Sequence, residues 1–165
     1  MLWMLAPSLA IETPPPAKKL TDGRFEVLVM AVPDLDKFDQ EWAVPSEGAN
    51  LTTTSRLVRN NPTFVVVLFG GCTKNVQGNC RIDVRHELNG PDGRPYDGLD
   101  GTKTNPVAEI PIARTDAFFL APQLLGVRIE TGEALGPYKL RVRVSDLVAD
   151  RHVTSDLTLT AVEAE

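Results

Sequence analysis

Histidine and cysteine are scarce in this chain, two of each in 165 residues, and that scarcity excludes a good deal of chemistry. A structural zinc site takes four ligands, usually with a C-x₂₋₄-C pair, whereas seven residues separate Cys72 from Cys80, and His86 and His152 stand in other segments. A redox-active pair is normally C-x-x-C at a helix start, which is also missing. Ser46, Ser55, Ser145 and Ser155 show no G-x-S-x-G elbow, so nothing supports a hydrolase triad. The longest apolar run, "FVVVLFGG" from Phe64, falls far short of the ~20 residues of a membrane helix, and no membrane insertion is expected. Nor is there an excess of basic residues. The net charge is −5 and the pI near 5.1, so no global positive field exists to hold nucleic acid or an anionic membrane surface.

What is present describes one soluble domain rich in turns. The chain is 42% hydrophobic and 24% charged, enough apolar matter for a core, and its 13 prolines and 12 glycines predict many chain reversals. The first ten residues, "MLWMLAPSLA", read as the back half of a signal peptide with cleavage after Ala10, the charged n-region being missing; a disordered apolar tail is the alternative. Residues 11–22, with "IETPPPAKK", read as an extended polyproline linker. The folded domain is then 23–165.

Within that domain the hydrophobic period is mostly two. In "RFEVLVMAV", Phe25, Val27 and Val29 share one face and Leu28 and Met30 the other, which predicts a strand covered on both sides. "TTTSRLV" and "TFVVVLF" follow as strands, the second a buried central one. "RIDVRHEL" alternates, with Ile82, Val84, His86 and Leu88 on one face and Arg81, Asp83, Arg85 and Glu87 on the other. "QLLGVRIET" is a further strand. "GPYKLRVRVSD" turns Tyr138, Leu140, Val142 and Val144 inward and Lys139, Arg141 and Arg143 outward, and "RHVTSDLTLTAVE" closes the domain with Val153, Leu157 and Leu159. One helix interrupts: "PDLDKFDQEW" starts at Pro33, places Asp34 and Asp36 in the first turn, and spaces Leu35, Phe38 and Trp42 on one stripe. "NGPDGRPYDGLDGTKTNP", residues 89–106, is too dense in glycine and proline for a regular element and reads as a long loop. The fold class is therefore all-β, an antiparallel sandwich of about seven or eight strands with one short helix.

"GPYKLRVRVSD" followed by "HVTSDLTLTAVE" resembles the last two strands of bacterial immunoglobulin-like domains, where glycine and tyrosine precede the penultimate strand and aspartate ends it. The wider pattern from Phe25 to Val162, with "VVVLFGGC", "NGPDG" and "GPYKLRVRVSD", is similar to a family of uncharacterised secreted proteins of proteobacteria. The resemblance implies a periplasmic immunoglobulin-like β-sandwich and carries over neither an activity nor catalytic residues.

Among candidate sites, Cys72 and Cys80 stand at the feet of a hairpin loop, where a disulfide is the reading that fits, in an oxidising compartment; free thiols are the alternative. His86, on an apolar face, is read as a neutral core or edge histidine with its hydrogen bonds satisfied, and His152 as exposed. The loop carrying Asp92, Tyr96, Asp97 and Asp100 is the candidate binding surface for a protein partner; its acids do not match an EF-hand, and no metal or cofactor is expected. Phe38 and Trp42 are read as capping the core. The outward row Lys139, Arg141 and Arg143 is read as a solvated face or a protected edge. These features predict a non-catalytic binding or structural module. The alternatives are an inhibitor or accessory subunit of a secreted hydrolase, or a small hydrolase or metal-dependent enzyme.

Overall fold

The run "TFVVVLFG" has both of its faces buried, and the two coverings define the architecture. A computed structural model describes residues 24–44, 50–114 and 117–165, together with the backbone of Leu2–Leu5. In chain order the strands are β1 (Leu2–Leu5), β2 (Glu26–Val32), β3 (Arg56–Val58), β4 (Thr63–Gly70), β5 (Asn79–Asn89), β6 (Pro95–Asp100), β7 (Ala108–Pro111), β8 (Phe119–Leu120), β9 (Leu124–Val127), β10 (Gly136–Asp146) and β11 (Arg151–Val162), with helix α1 (Leu35–Trp42) after β2. Val65, Val67 and Phe69 of β4 meet Ile82, Val84 and Leu88 of β5 and Leu140, Val142 and Val144 of β10 in the space between two sheets. Val66 and Leu68 point the other way, onto Phe38 and Trp42 of α1 and onto Phe118. Complete burial of each such side chain stabilises the fold by roughly 1.5–3 kcal/mol before the entropic cost, so a strand buried on both faces has to be apolar at every position.

The first sheet runs β1-β9-β4-β2 with β8 also on β4, and the second runs β3-β11-β10-β5-β6 with β7 also on β5. Among the described residues all pairings are antiparallel except one: β3 lies parallel to β11, with Thr160 opposite Arg56 and Val162 opposite Val58. From β2 in one sheet the chain thus crosses over and joins the last strand of the other sheet as β3. With β2-β4-β9 facing β5-β10-β11, this is an immunoglobulin-like arrangement of strands. Tyr138, near the start of β10, reinforces it by donating its hydroxyl to the Ala134 carbonyl four residues upstream, at 2.9 Å.

Several sequence expectations need correction. The helix starts at Leu35, two residues after Pro33: Asp34 is the cap, in extended conformation, and its Oδ1 accepts from the Lys37 N–H at 3.0 Å. A carboxylate can satisfy a free N–H of the first turn, which the proline ring cannot. Residues 89–106 are not one long loop, because they contain β6. Pro91 and Gly93 (φ 77) belong to a tight turn closed by Gly93 N–H to Gly90 O and Gly90 N–H to Arg94 O, both 2.9 Å. Asp97 (φ 51) and Gly98 (φ 72) take up the extra residues of a bulge between the pairs Asn89–Pro95 and Glu87–Asp100. Glycine and proline therefore shape a strand here instead of ending it. Within the apolar amino-terminal run, the backbone of Leu2–Leu5 pairs with β9, Leu2 opposite Val127. The expected linker, residues 11–22, lies outside the described residues.

Candidate functional site

The hairpin from β5 to β6 and the turn from β9 to β10 lie side by side at one end of the sandwich and enclose a hollow of about 650 Å³. Gly90, Pro91, Asp92, Arg94, Pro95, Tyr96 and Asp97 line one side of it, and Glu130, Glu133, Ala134 and Tyr138 the other. Of the four residues expected to form a binding loop, Asp92, Tyr96 and Asp97 come together here. Asp100 does not. It ends β6 opposite Glu87, and its Oδ1 accepts from the Thr102 N–H (3.0 Å) and hydroxyl (2.6 Å).

Tyr96 organises the hollow. Its ring meets that of Tyr138 edge-on, with centroids 5.3 Å apart and planes at 89°. Its hydroxyl donates to the Glu133 carboxylate, whose oxygens stand 2.8 and 2.7 Å away. Glu133 also accepts from the Glu130 N–H, and the turn closes through Glu133 N–H to Glu130 O at 3.1 Å around Gly132 (φ 93). From the neighbouring sheet Arg59 donates to the carbonyls of Glu130 and Glu133, the latter at 3.1 Å. Asp92 is occupied locally, its Oδ1 accepting from the Arg94 N–H at 3.0 Å. Burial pushes the Tyr96 hydroxyl far above the usual phenol range, and the Glu133 hydrogen bond adds to the effect. Burial works to raise Glu133, the Glu130 N–H and the Tyr96 hydroxyl are among the groups that lower it, and its carboxyl ends below the usual range. Both groups are thus held away from neutrality, one protonated and one ionised.

Sequence reasoning missed Glu133. The turn itself is visible in "ETGEALG", but Glu133 lies 37 residues from Tyr96, and only the fold joins them.

The other end of the sandwich holds the cysteines. Cys72 and Cys80 form a disulfide with Cα atoms 6.0 Å apart. Beside it Asp146 is fully buried, and it accepts from four donors: the Thr73 N–H (2.9 Å), the Val148 N–H (3.2 Å), the Ala149 N–H (3.4 Å) and Arg151 Nε (3.1 Å). Arg151 donates in turn to the Gly71 carbonyl at 2.7 Å, and its guanidinium sits 5.3 Å over the Phe25 ring. Midway along β5, His86 is buried as expected from its face, but it is not satisfied: neither ring nitrogen has a hydrogen-bond partner among the described residues. Burial lowers its pKa to about 4. His152 is exposed, as expected. Among the described residues no group of three or more His, Cys, Asp or Glu is placed to hold a metal ion, and no helix is long and apolar enough to cross a membrane.

No protein-family model matches the chain, and no curated protein does. Solved structures give distant likenesses. The CARDB domain of a Pyrococcus furiosus protein, solved in complex with di-metal ions, is 10% identical with a TM-score of 0.44, over 94% of this chain and all of that one. A family 123 glycoside hydrolase from Clostridium perfringens is 7% identical with a TM-score of 0.41, over 85% of this chain, which spans about a quarter (27%) of the hydrolase.

Proposed function

We propose that the chain is a non-catalytic binding module of a secreted, periplasmic protein, and that its protein partner is received by the hollow between the 90–97 hairpin and the 128–135 turn. The observation that carries this reading is the concave surface itself, where Tyr96, edge-on against Tyr138 and hydrogen-bonded to Glu133, ties the hairpin to the turn. Acid–base catalysis works best with a group whose pKa lies near the working pH, and these two are driven in opposite directions from it. What they supply instead is a concave surface fixed in advance, with exposed Asp92 and Asp97 on its rim, on loops carried by a rigid sandwich. The Cys72–Cys80 disulfide supports the compartment, since such bonds persist where the surroundings are oxidising.

The test is affinity capture from periplasmic extract with the wild-type chain and with an Asp92→Asn/Asp97→Asn double variant. A partner retained by the first and lost by the second is the expected outcome. Equal capture by both would remove the hollow from the function. Turnover by purified wild-type protein in a hydrolase panel would overturn the non-catalytic reading.

A further inference from the structure

On the outer face of the second sheet Arg81 of β5 stands opposite Glu109 of β7. Arg141 stands opposite Glu87 on β5 and Asp156 on β11, and its Nε donates to Asp156 at 2.8 Å. Two residues further along β10, Arg143 stands directly opposite Arg85, with Thr154 on its other side. Like charges at directly opposed positions destabilise a sheet. Among the described residues no carboxylate is bonded to Arg143; its Nη2 approaches His152 Nδ1 at 3.2 Å. Arginine has no acceptor, so that contact is a hydrogen bond only when Nδ1 of a neutral His152 carries the lone pair. Arg85 uses Nε on Asp83 at 3.0 Å, and neither its Nη groups nor the Ser145 hydroxyl makes a hydrogen bond among the described residues.

These side chains surround a depression of about 220 Å³. None of its three acids is bonded to Arg143 among the described residues: Asp83 is taken by Arg85, Asp146 by Arg151 and three backbone N–H groups, and Asp150 sits exposed in the turn beyond β10. We propose that this depression is a binding site for a tetrahedral oxyanion, a phosphate or sulfate group, held by Arg143 and Arg85 with Ser145 and His152 completing the donor set. Donors from three adjacent strands converge from several directions, which suits an anion with three or four acceptor oxygens; a planar carboxylate is satisfied by one guanidinium fork. An anion placed between Arg85 and Arg143 turns the opposition of like charges into two attractions. The site is separate from the hollow at the end of the sandwich and does not depend on the reading given to it.

The experiment is a titration of the whole chain with inorganic phosphate, inorganic sulfate and acetate, followed by amide chemical shifts. Saturable shifts centred on residues 83–85, 143–145 and 151–152 are expected with phosphate or sulfate, along with a rise in thermal midpoint by mass action. Arg143→Gln is expected to weaken binding by about tenfold or more, because a charge-assisted fork is lost. Arg141→Gln, whose guanidinium is already engaged by Asp156, is expected to change it by less than about twofold. The ligand-free Arg143→Gln protein should be as stable as wild type or more so, since the opposition of like charges is relieved. The proposal is overturned by non-saturating shifts with both tetrahedral anions, by acetate binding as tightly as phosphate, by equal losses in the two variants, or by a marked loss of stability in ligand-free Arg143→Gln, which would make that arginine part of the fold.

Discussion

The two ends of the sandwich are fastened by different chemistry. At the disulfide end, a covalent bond closes the β4–β5 loop, and one buried carboxylate gathers the loop, the β10–β11 turn and Arg151. At the other end two tyrosines serve: Tyr138 holds its own turn, and Tyr96 ties the hairpin to Glu133. A buried carboxylate with four donors fails all at once, because its removal strands every donor and leaves a cation without its counterion. Tyrosine hydroxyls fail one bond at a time. They also brace the loops from the side without filling the space between them, so the tyrosine end can be fixed and hollow together.

The largest effect expected from breaking this contrast is at Asp146. Asp146→Ala should cost about 3 kcal/mol in urea unfolding, because three backbone N–H groups lose their acceptor at once while the partly exposed Arg151 keeps the Gly71 carbonyl; a loss below about 1 kcal/mol would mean that the two ends are held equally loosely. Between the ends, His86 should make the domain acid-sensitive. Burial sets its folded pKa at about 4, below the ordinary histidine value of about 6.5. The unfolded chain therefore takes up the proton first: the contribution is complete above about pH 6.5 and is lost as pH falls toward 4, by up to about 3 kcal/mol. Unfolding at several pH values should show that His86→Leu removes this part of the slope while changing stability at neutral pH by less than about 2 kcal/mol. An unchanged slope would refute the assignment. Reduction of Cys72–Cys80 should cost about 2–3 kcal/mol, given the short loop it closes, and alkylation followed by intact mass should find both thiols protected until reductant is added. The smallest effect belongs to the tyrosine end, where Tyr138→Phe should cost about 1 kcal/mol for one hydrogen bond. A larger loss there than at Asp146 would invert the comparison.

Features fixed by local period were legible in the sequence. The alternation of β5 and β10, the doubly covered run of β4 and the stripe of Phe38 and Trp42 each follow from burial repeated every second residue or every turn. The parallel pairing of β3 was not legible, because its partner Thr160 lies about a hundred residues from Arg56 and nothing in three residues encodes it. β6 was hidden by its glycines and prolines, whose backbone roles in a turn and a bulge look the same in sequence as those of a loop. The site was half legible. Asp92, Tyr96 and Asp97 stood out as polar residues on a turn-rich segment, whereas Glu133 and the opposition of Arg85 to Arg143 exist only once the register is set.

The staple at the disulfide end has a further consequence for proteolysis. Lys74, Val76 and Gln77 are exposed on the loop it closes, Val76 almost completely at 96%. Peptide-bond hydrolysis anywhere between Cys72 and Cys80 gives the molecule a new pair of chain ends without separating it into two bodies, since the sulfur bridge spans the cut and β4 and β5 remain in their separate sheets on either side. Trypsin acting at Lys74 would thus yield a nicked protein that migrates as one species until a reductant is added, and only then as two fragments.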